Sequence, residues 1–159
     1  MGDRVHFDQR VLVLGWDGAT WDLLKPWADA GELPVLARMM REGAWGPMRT
    51  VVPPGTGPAW SSMVTGKNPG KHGVFEFMER RSGSYRIGPL DGTALRAETL
   101  WDRVGDHGGE VVLLNVPMTY PPREVAGTLI SGILTPRSSA AFTHPAEFQD
   151  TLKARNPEY

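Results

Sequence analysis

Three short runs dominated by Val, Leu and Ile set the frame for this chain: residues 10–16, Val111–Val116 and Thr128–Ile133. The first shows no alternation of apolar and polar residues, the pattern of a strand covered on both faces in a parallel sheet. Segments of helical character lie between the runs. One spans Thr20 to Asp29 and is expected to break or restart near Pro26. A second opens at Leu33-Pro34 and leaves at Gly43, with Val35, Leu36, Met39 and Met40 recurring on one face. Residues 44–52 suit a further strand. Gly55 to Gly66 reads as loop then helix, with Ala59, Trp60, Met63 and Val64 at helical spacing. Short strands are expected at Val74–Phe77 and Tyr85–Ile87, a helix from Ala97 to Val104 and a last helix from Pro145 to Arg155, with Thr143 or His144 near its start. Strands alternating with helices indicate an α/β fold with a mostly parallel sheet. Ligands of such sheets collect beyond the carboxyl ends of the strands. Asp17, the Pro-rich loop before Thr56 and the Asn115–Pro122 loop all follow expected strands, so they are expected to share one rim.

Composition narrows the function classes. A chain of 159 residues supports one domain with a real core. A net charge of -1 gives no pull toward nucleic acid or anionic membrane. Cysteine is absent, which removes disulfides, thiolate zinc sites and thiol nucleophiles together. Met1 to Arg10 is charged and lacks the apolar stretch of a leader, and His6 stands where a myristoylation signal wants Ser or Thr. No apolar run approaches the roughly 20 residues of a membrane helix. The expectation is a cytoplasmic chain acting on a small substrate, with its oligomeric state open. The 19 glycines and 14 prolines are spread along the chain, which indicates structured loops rather than a disordered tail.

Two stretches carry candidate chemistry. Val11-Leu12-Val13-Leu14-Gly15-Trp16-Asp17-Gly18 ends an apolar run in a carboxylate and a glycine. Asp17 there is either a metal ligand or a turn and cap aspartate, since Asp-Gly is a common turn pair. Pro53-Pro54-Gly55-Thr56-Gly57-Pro58 delivers a hydroxyl to the start of a helix. Thr56 suits an N-cap, and the same position places its hydroxyl near unpaired backbone N–H groups that stabilise anions. Ser61 and Ser62 are alternative hydroxyls inside the helix, where serine usually faces solvent or bonds its own backbone. His72 reads as a structural hydrogen bonder, a ligand or an acid. His107 and His144 read as loop or cap residues, and the six tryptophans as core and pocket walls. Gly15-Trp16-Asp17-Gly18 lacks dinucleotide-fingerprint spacing, and there is no Walker phosphate loop.

The ordered set Val11–Gly18, Leu33-Pro34, Glu42-Gly43, Pro53–Ser62, Thr65–Gly73 and Asn115-Val116-Pro117-Met118-Thr119-Tyr120-Pro121-Pro122 resembles the type I phosphodiesterase/nucleotide pyrophosphatase branch of the alkaline phosphatase superfamily. The resemblance runs from about residue 10 to the end of the chain and is most specific from Pro53 to Gly73. It implies a three-layer alkaline-phosphatase-like fold. It also implies metal-dependent hydrolysis of phosphate esters or anhydrides through a phosphothreonine intermediate. Two divalent metal ions are implied, zinc in most members and manganese as the alternative. On this resemblance Asp17 ligates one metal, and Thr56 binds that metal as the nucleophile. A metal lowers the pKa of a bound hydroxyl, and two cations about 4 Å apart clamp the entering and leaving oxygens.

Two departures stand out. The family's phosphate-binding asparagine, shortly after His-Gly-Ile, has no counterpart in Val74-Phe75-Glu76-Phe77-Met78, which puts nucleotide substrates in question. The family's remaining ligands come from later Asp and His residues, including an Asp-His-Gly motif. Asp106-His107-Gly108 spells those letters but follows an expected helix and reads as its exit turn. The chain is therefore expected to be the N-terminal part of a longer catalytic domain, inactive alone, with most metal ligands beyond Tyr159. The alternatives are a phosphoglycerate-mutase-like phosphomutase, which would use Ser61 or Ser62, and a non-catalytic binding module without metals.

Overall fold

The computed structural model describes residues 10–80 and 83–156. The reading of Met1–Arg10 as a charged segment without a leader falls mostly outside the described residues. Contacts divide the described residues into two units: residues 11–50, and the described residues from 51 onward together with Arg10.

In residues 11–50, helix α1 (Trp21–Asp29) starts where Thr20 takes up an extended conformation and its hydroxyl accepts the Asp22 N–H. The helix runs through Pro26 without a break. A proline in a helix forfeits one backbone bond, and here that does not end it. Helix α2 (Pro34–Glu42) has Pro34 in its first turn and Gly43 at its exit, as its sequence dictates. Of its apolar residues, Leu36 and Met40 are half-buried, whereas Val35 and Met39 are exposed. Trp21 and Trp45 meet at a ring-centroid distance of 5.0 Å, and the Trp21 indole N–H donates to the Gly46 carbonyl.

The expected first strand is not formed. Residues 10–16 carry no ladder, and Val11–Leu14 are 65–84 % exposed. Residues 44–52 likewise form no strand. The physical reason is local: a strand is held by the backbone groups of a neighbour, and the elements of this unit are two helices. Trp16, Trp27 and Trp45 are roughly half exposed rather than core walls.

The second unit holds the core: Val64, Val74, Trp101, Met118, Leu129 and Ile130 are buried. Helix α3 (Thr56–Thr65) is followed by the single turn α4 (Pro69–His72). Strands β1 (Met78–Arg80) and β2 (Ile87–Pro89) make an antiparallel hairpin, so the expected strand at Val74–Phe77 starts later. Helix α5 (Leu100–Asp106) precedes β3 (Val111–Val116), β4 (Gly127–Ser131), β5 (Thr143–His144) and α6 (Phe148–Arg155). β3 pairs parallel with β4, and β5 pairs antiparallel with β4.

The fold is thus mixed α/β with small sheets, consistent with part of an alkaline-phosphatase-like domain. Among the described residues the larger sheet has three strands and one parallel pairing, so the expected mostly parallel sheet is not present. β3 is an edge strand with alternating burial rather than a buried one: Val112 is 80 % and Leu114 60 % exposed. Thr143 and His144, expected to cap the last helix, are the strand β5. No helix among the described residues is long and apolar enough to cross a membrane.

Candidate functional site

Thr56 is the first residue of α3, and Gly55 is the cap, one position earlier than expected. Thr56 is half-buried. The N–H groups of a first helical turn have no carbonyl of their own helix to bond, and they point out of its start. Pro58, the third helical residue, suits that turn because it has no N–H to orphan. Asp17 lies in the other unit, in a turn ahead of α1 with Gly18 at φ +71°. The N-cap of α1 is Thr20, so Asp17 is not that helix's cap.

The buried face of α3 is Gly57, Pro58, Ser61 and Val64, which differs from the expected apolar stripe because Met63 faces outward. Ser61 is fully enclosed and its hydroxyl has no hydrogen-bond partner. The solvent-facing or backbone-bonded serine expected there is corrected: position 61 lies on the buried face of α3, so its hydroxyl meets neither water nor a backbone partner.

Ser62 is held by His72. Gly66 ends α3 in the left-handed region at φ +64°, which turns the chain back so that α4 lies beside α3. His72 is 0 % exposed, and its ring sits between two partners. The Val74 N–H donates to Nδ1 at 3.1 Å, and Nε2 lies 2.9 Å from Ser62 Oγ. A nitrogen that accepts an amide proton carries none of its own, so the ring proton is on Nε2 and is donated to Ser62. Burial lowers the imidazole's pKa and keeps it neutral. The His72 carbonyl also accepts the Arg96 N–H at 2.9 Å. Of its three sequence readings, His72 is therefore the structural hydrogen bonder, and it does not take a proton from Ser62.

This clasp lays residues 73–77 along α3. Gly57, next to Thr56, lies against them: a Cβ at that position would stand 3.3 Å from Phe77 Cδ1 and 3.4 Å from the Glu76 carbonyl carbon. The Phe77 carbonyl takes the Leu90 N–H at 2.7 Å, and Gly92 N–H donates to the Tyr120 carbonyl at 2.6 Å. The start of α3 is thereby linked through the β1–β2 hairpin to the loop beyond β3. That loop begins with a bulge between Leu114 and Val116, where Asn115 adopts φ +54°, and continues through Met118 at φ +64°. Thr119 fixes it, its hydroxyl donating to the Val116 carbonyl and accepting the Gly132 N–H.

A second cluster was only half legible. Thr99 and Asp102 form a capping box at the start of α5, and Thr-x-x-Asp before an apolar helix is its sequence signal. Arg123, 21 residues away, donates to Thr99 Oγ1 at 2.7 Å and to Asp102 Oδ2 at 2.8 Å, with its guanidinium 5.7 Å from the Trp101 ring centre. Burial pushes the Asp102 carboxyl up, but hydrogen bonds from Arg123 and Thr99 and the Arg123 charge outweigh it, leaving the pKa lowered. Asp106 ends α5, His107 is its cap and Gly108 turns at φ +81°, so Asp-His-Gly is the expected exit turn.

Asp17 and Thr56 offer oxygen donors, the type that hard divalent cations take. A complete metal site needs more: among the described residues no group of three or more His, Asp or Glu could hold a metal ion. No curated protein and no solved structure matches the chain. The family model described as type I phosphodiesterase / nucleotide pyrophosphatase matches residues 11–158. With that match spanning nearly the whole sequence, the chain belongs to the type I phosphodiesterase / nucleotide pyrophosphatase family, a family of phosphoester hydrolases.

Proposed function

We propose that this chain supplies the nucleophile side of a metal-dependent phosphodiesterase or pyrophosphatase site, with Thr56 as the attacking residue. The observation that carries the assignment is the contrast among the hydroxyls of one helix, whose last, Thr65, bonds back to the Ser61 carbonyl. Ser61 is sealed from solvent, and Ser62 accepts a hydrogen bond from His72, which therefore cannot serve as its base. Thr56 stands at the helix start, where backbone N–H groups and the helix dipole favour developing negative charge. The same contrast weighs against the phosphomutase alternative, which needs one of the serines.

In this reading the Thr56 oxygen forms a bond to phosphorus as the bond to the leaving oxygen breaks. The hydroxyl proton passes to solvent and the leaving oxygen departs as its anion; water later cleaves the threonine phosphoester, returning the hydroxyl and releasing phosphate or a monoester. Divalent cations, when bound, would make an otherwise protonated alcohol nucleophilic. Zinc or manganese is proposed, with Asp17 as one ligand. Structural and catalytic zinc sites take three or four protein ligands each, so Asp17 is proposed as one member of a larger ligand set.

The test is trapping. The enzyme, quenched in acid during turnover of bis(4-nitrophenyl) phosphate, is expected to carry a 4-nitrophenyl phosphoryl group on Thr56, a threonine phosphodiester, by mass spectrometry. Thr56→Ala is expected to abolish both the label and turnover, with the fold unchanged by circular dichroism. Full activity in Thr56→Ala would remove Thr56 from this role.

A further inference from the structure

The wall that meets the start of α3 carries a charge. Glu76 lies at the point where residues 73–77 touch Gly57, next to Thr56 in sequence. Its carboxylate is turned back on the bend just ahead of β1, Oε1 accepting the Phe77 N–H at 2.7 Å. This holds the negative charge at the backbone that abuts the first turn of α3. The side chain is exposed, and among the described residues no cation stands within ion-pair distance of it. Among the described residues, Arg80 lies over the Tyr85 ring and the Arg96 stem packs at Gly73.

We propose that Glu76 is a charge-selecting residue of the Thr56 site, favouring singly charged phosphodiesters over doubly charged phosphomonoesters; this rests on the role of Thr56 given above. A phosphomonoester near neutral pH carries close to two negative charges, its second ionisation falling near pH 6, whereas a diester carries one. A fixed carboxylate repels the first about twice as strongly as the second. The clasp at His72 makes the selection geometric, because it fixes where along α3 the charge sits. The hydrogen bond to Phe77 does not need the charge, so the neutral isostere separates electrostatics from structure.

Glu76→Gln is compared with the parent enzyme and with Glu76→Asp, using bis(4-nitrophenyl) phosphate and 4-nitrophenyl phosphate at low and high salt. The diester-to-monoester ratio of kcat/KM is expected to fall about three- to tenfold in Glu76→Gln, to be kept in Glu76→Asp, and to depend less on salt than in the parent. Calorimetric binding of phenyl phosphate and diphenyl phosphate gives a readout free of turnover: Glu76→Gln is expected to bind phenyl phosphate more tightly and diphenyl phosphate nearly unchanged. An unchanged ratio together with unchanged relative binding overturns the proposal while leaving Thr56 in place. A parent enzyme that never labels Thr56 overturns the nucleophile assignment, and the binding comparison still decides the charge selection.

Discussion

Replacing His72 by alanine removes two hydrogen bonds and empties an enclosed ring site. The Val74 N–H loses its acceptor and Ser62 Oγ loses its donor. Each bond contributes about 1 kcal/mol, and lost ring packing at a fully buried position adds about 1–2 kcal/mol. The expected cost is about 3–4 kcal/mol, measured as a drop in the urea midpoint at constant slope. His72→Asn is the informative partner. Its Oδ1 can accept the Val74 N–H in place of Nδ1, but it does not reach Ser62, so about half the loss is expected. The pH dependence follows from the same bonds. Nδ1 must stay unprotonated, and its folded pKa lies below the ordinary 6.5. Between those two values the unfolded chain binds more protons than the folded one. Stability from this residue is therefore complete above about pH 6.5 and is lost as pH falls toward and through the folded value. Denaturation midpoints of the parent between about pH 7.5 and 5 are expected to show that fall, and those of His72→Asn to lack this component. A cost under about 1 kcal/mol in His72→Ala, or an identical acid profile in His72→Asn, would refute the account of a neutral, tautomer-locked clasp.

The other perturbations test how the rim is built. Arg123→Ala is expected to lower stability by about 1 kcal/mol, the modest value of a half-exposed charged contact, and to raise the apparent pKa of Asp102 toward its ordinary value by NMR titration; an unmoved Asp102 would show that Arg123 does not hold it. Gly57→Val places branched carbons where a single Cβ already meets Phe77 and Glu76 at 3.3–3.4 Å. It is expected to cost about 1–3 kcal/mol by thermal unfolding, and a neutral outcome would mean residues 76–77 are not fixed against α3.

Local chemistry alone determined a good deal of this protein. Pro34 and Gly43 bracket α2, Gly66 ends α3, the β-branched run at Val111–Val116 is a strand, and Asp106-His107-Gly108 is a helix exit. These follow from backbone preferences that act within a few residues. The ordered motifs from Val11 to Pro122 also carried the family, since a family is read from residue identities and spacing. Tertiary structure decided what depends on distant partners. Whether an apolar run becomes a strand depends on a neighbour offering its backbone groups, and residues 10–16 have none within their unit while Val111–Val116 have β4. Which serine is enclosed and which is clasped depends on the turn at Gly66 bringing His72 back to Ser62. The hold of Arg123 on Thr99 and Asp102 depends on a loop 21 residues further along. Hydrogen bonds and burial are set by proximity in space, and sequence spacing encodes that proximity only over a turn or two.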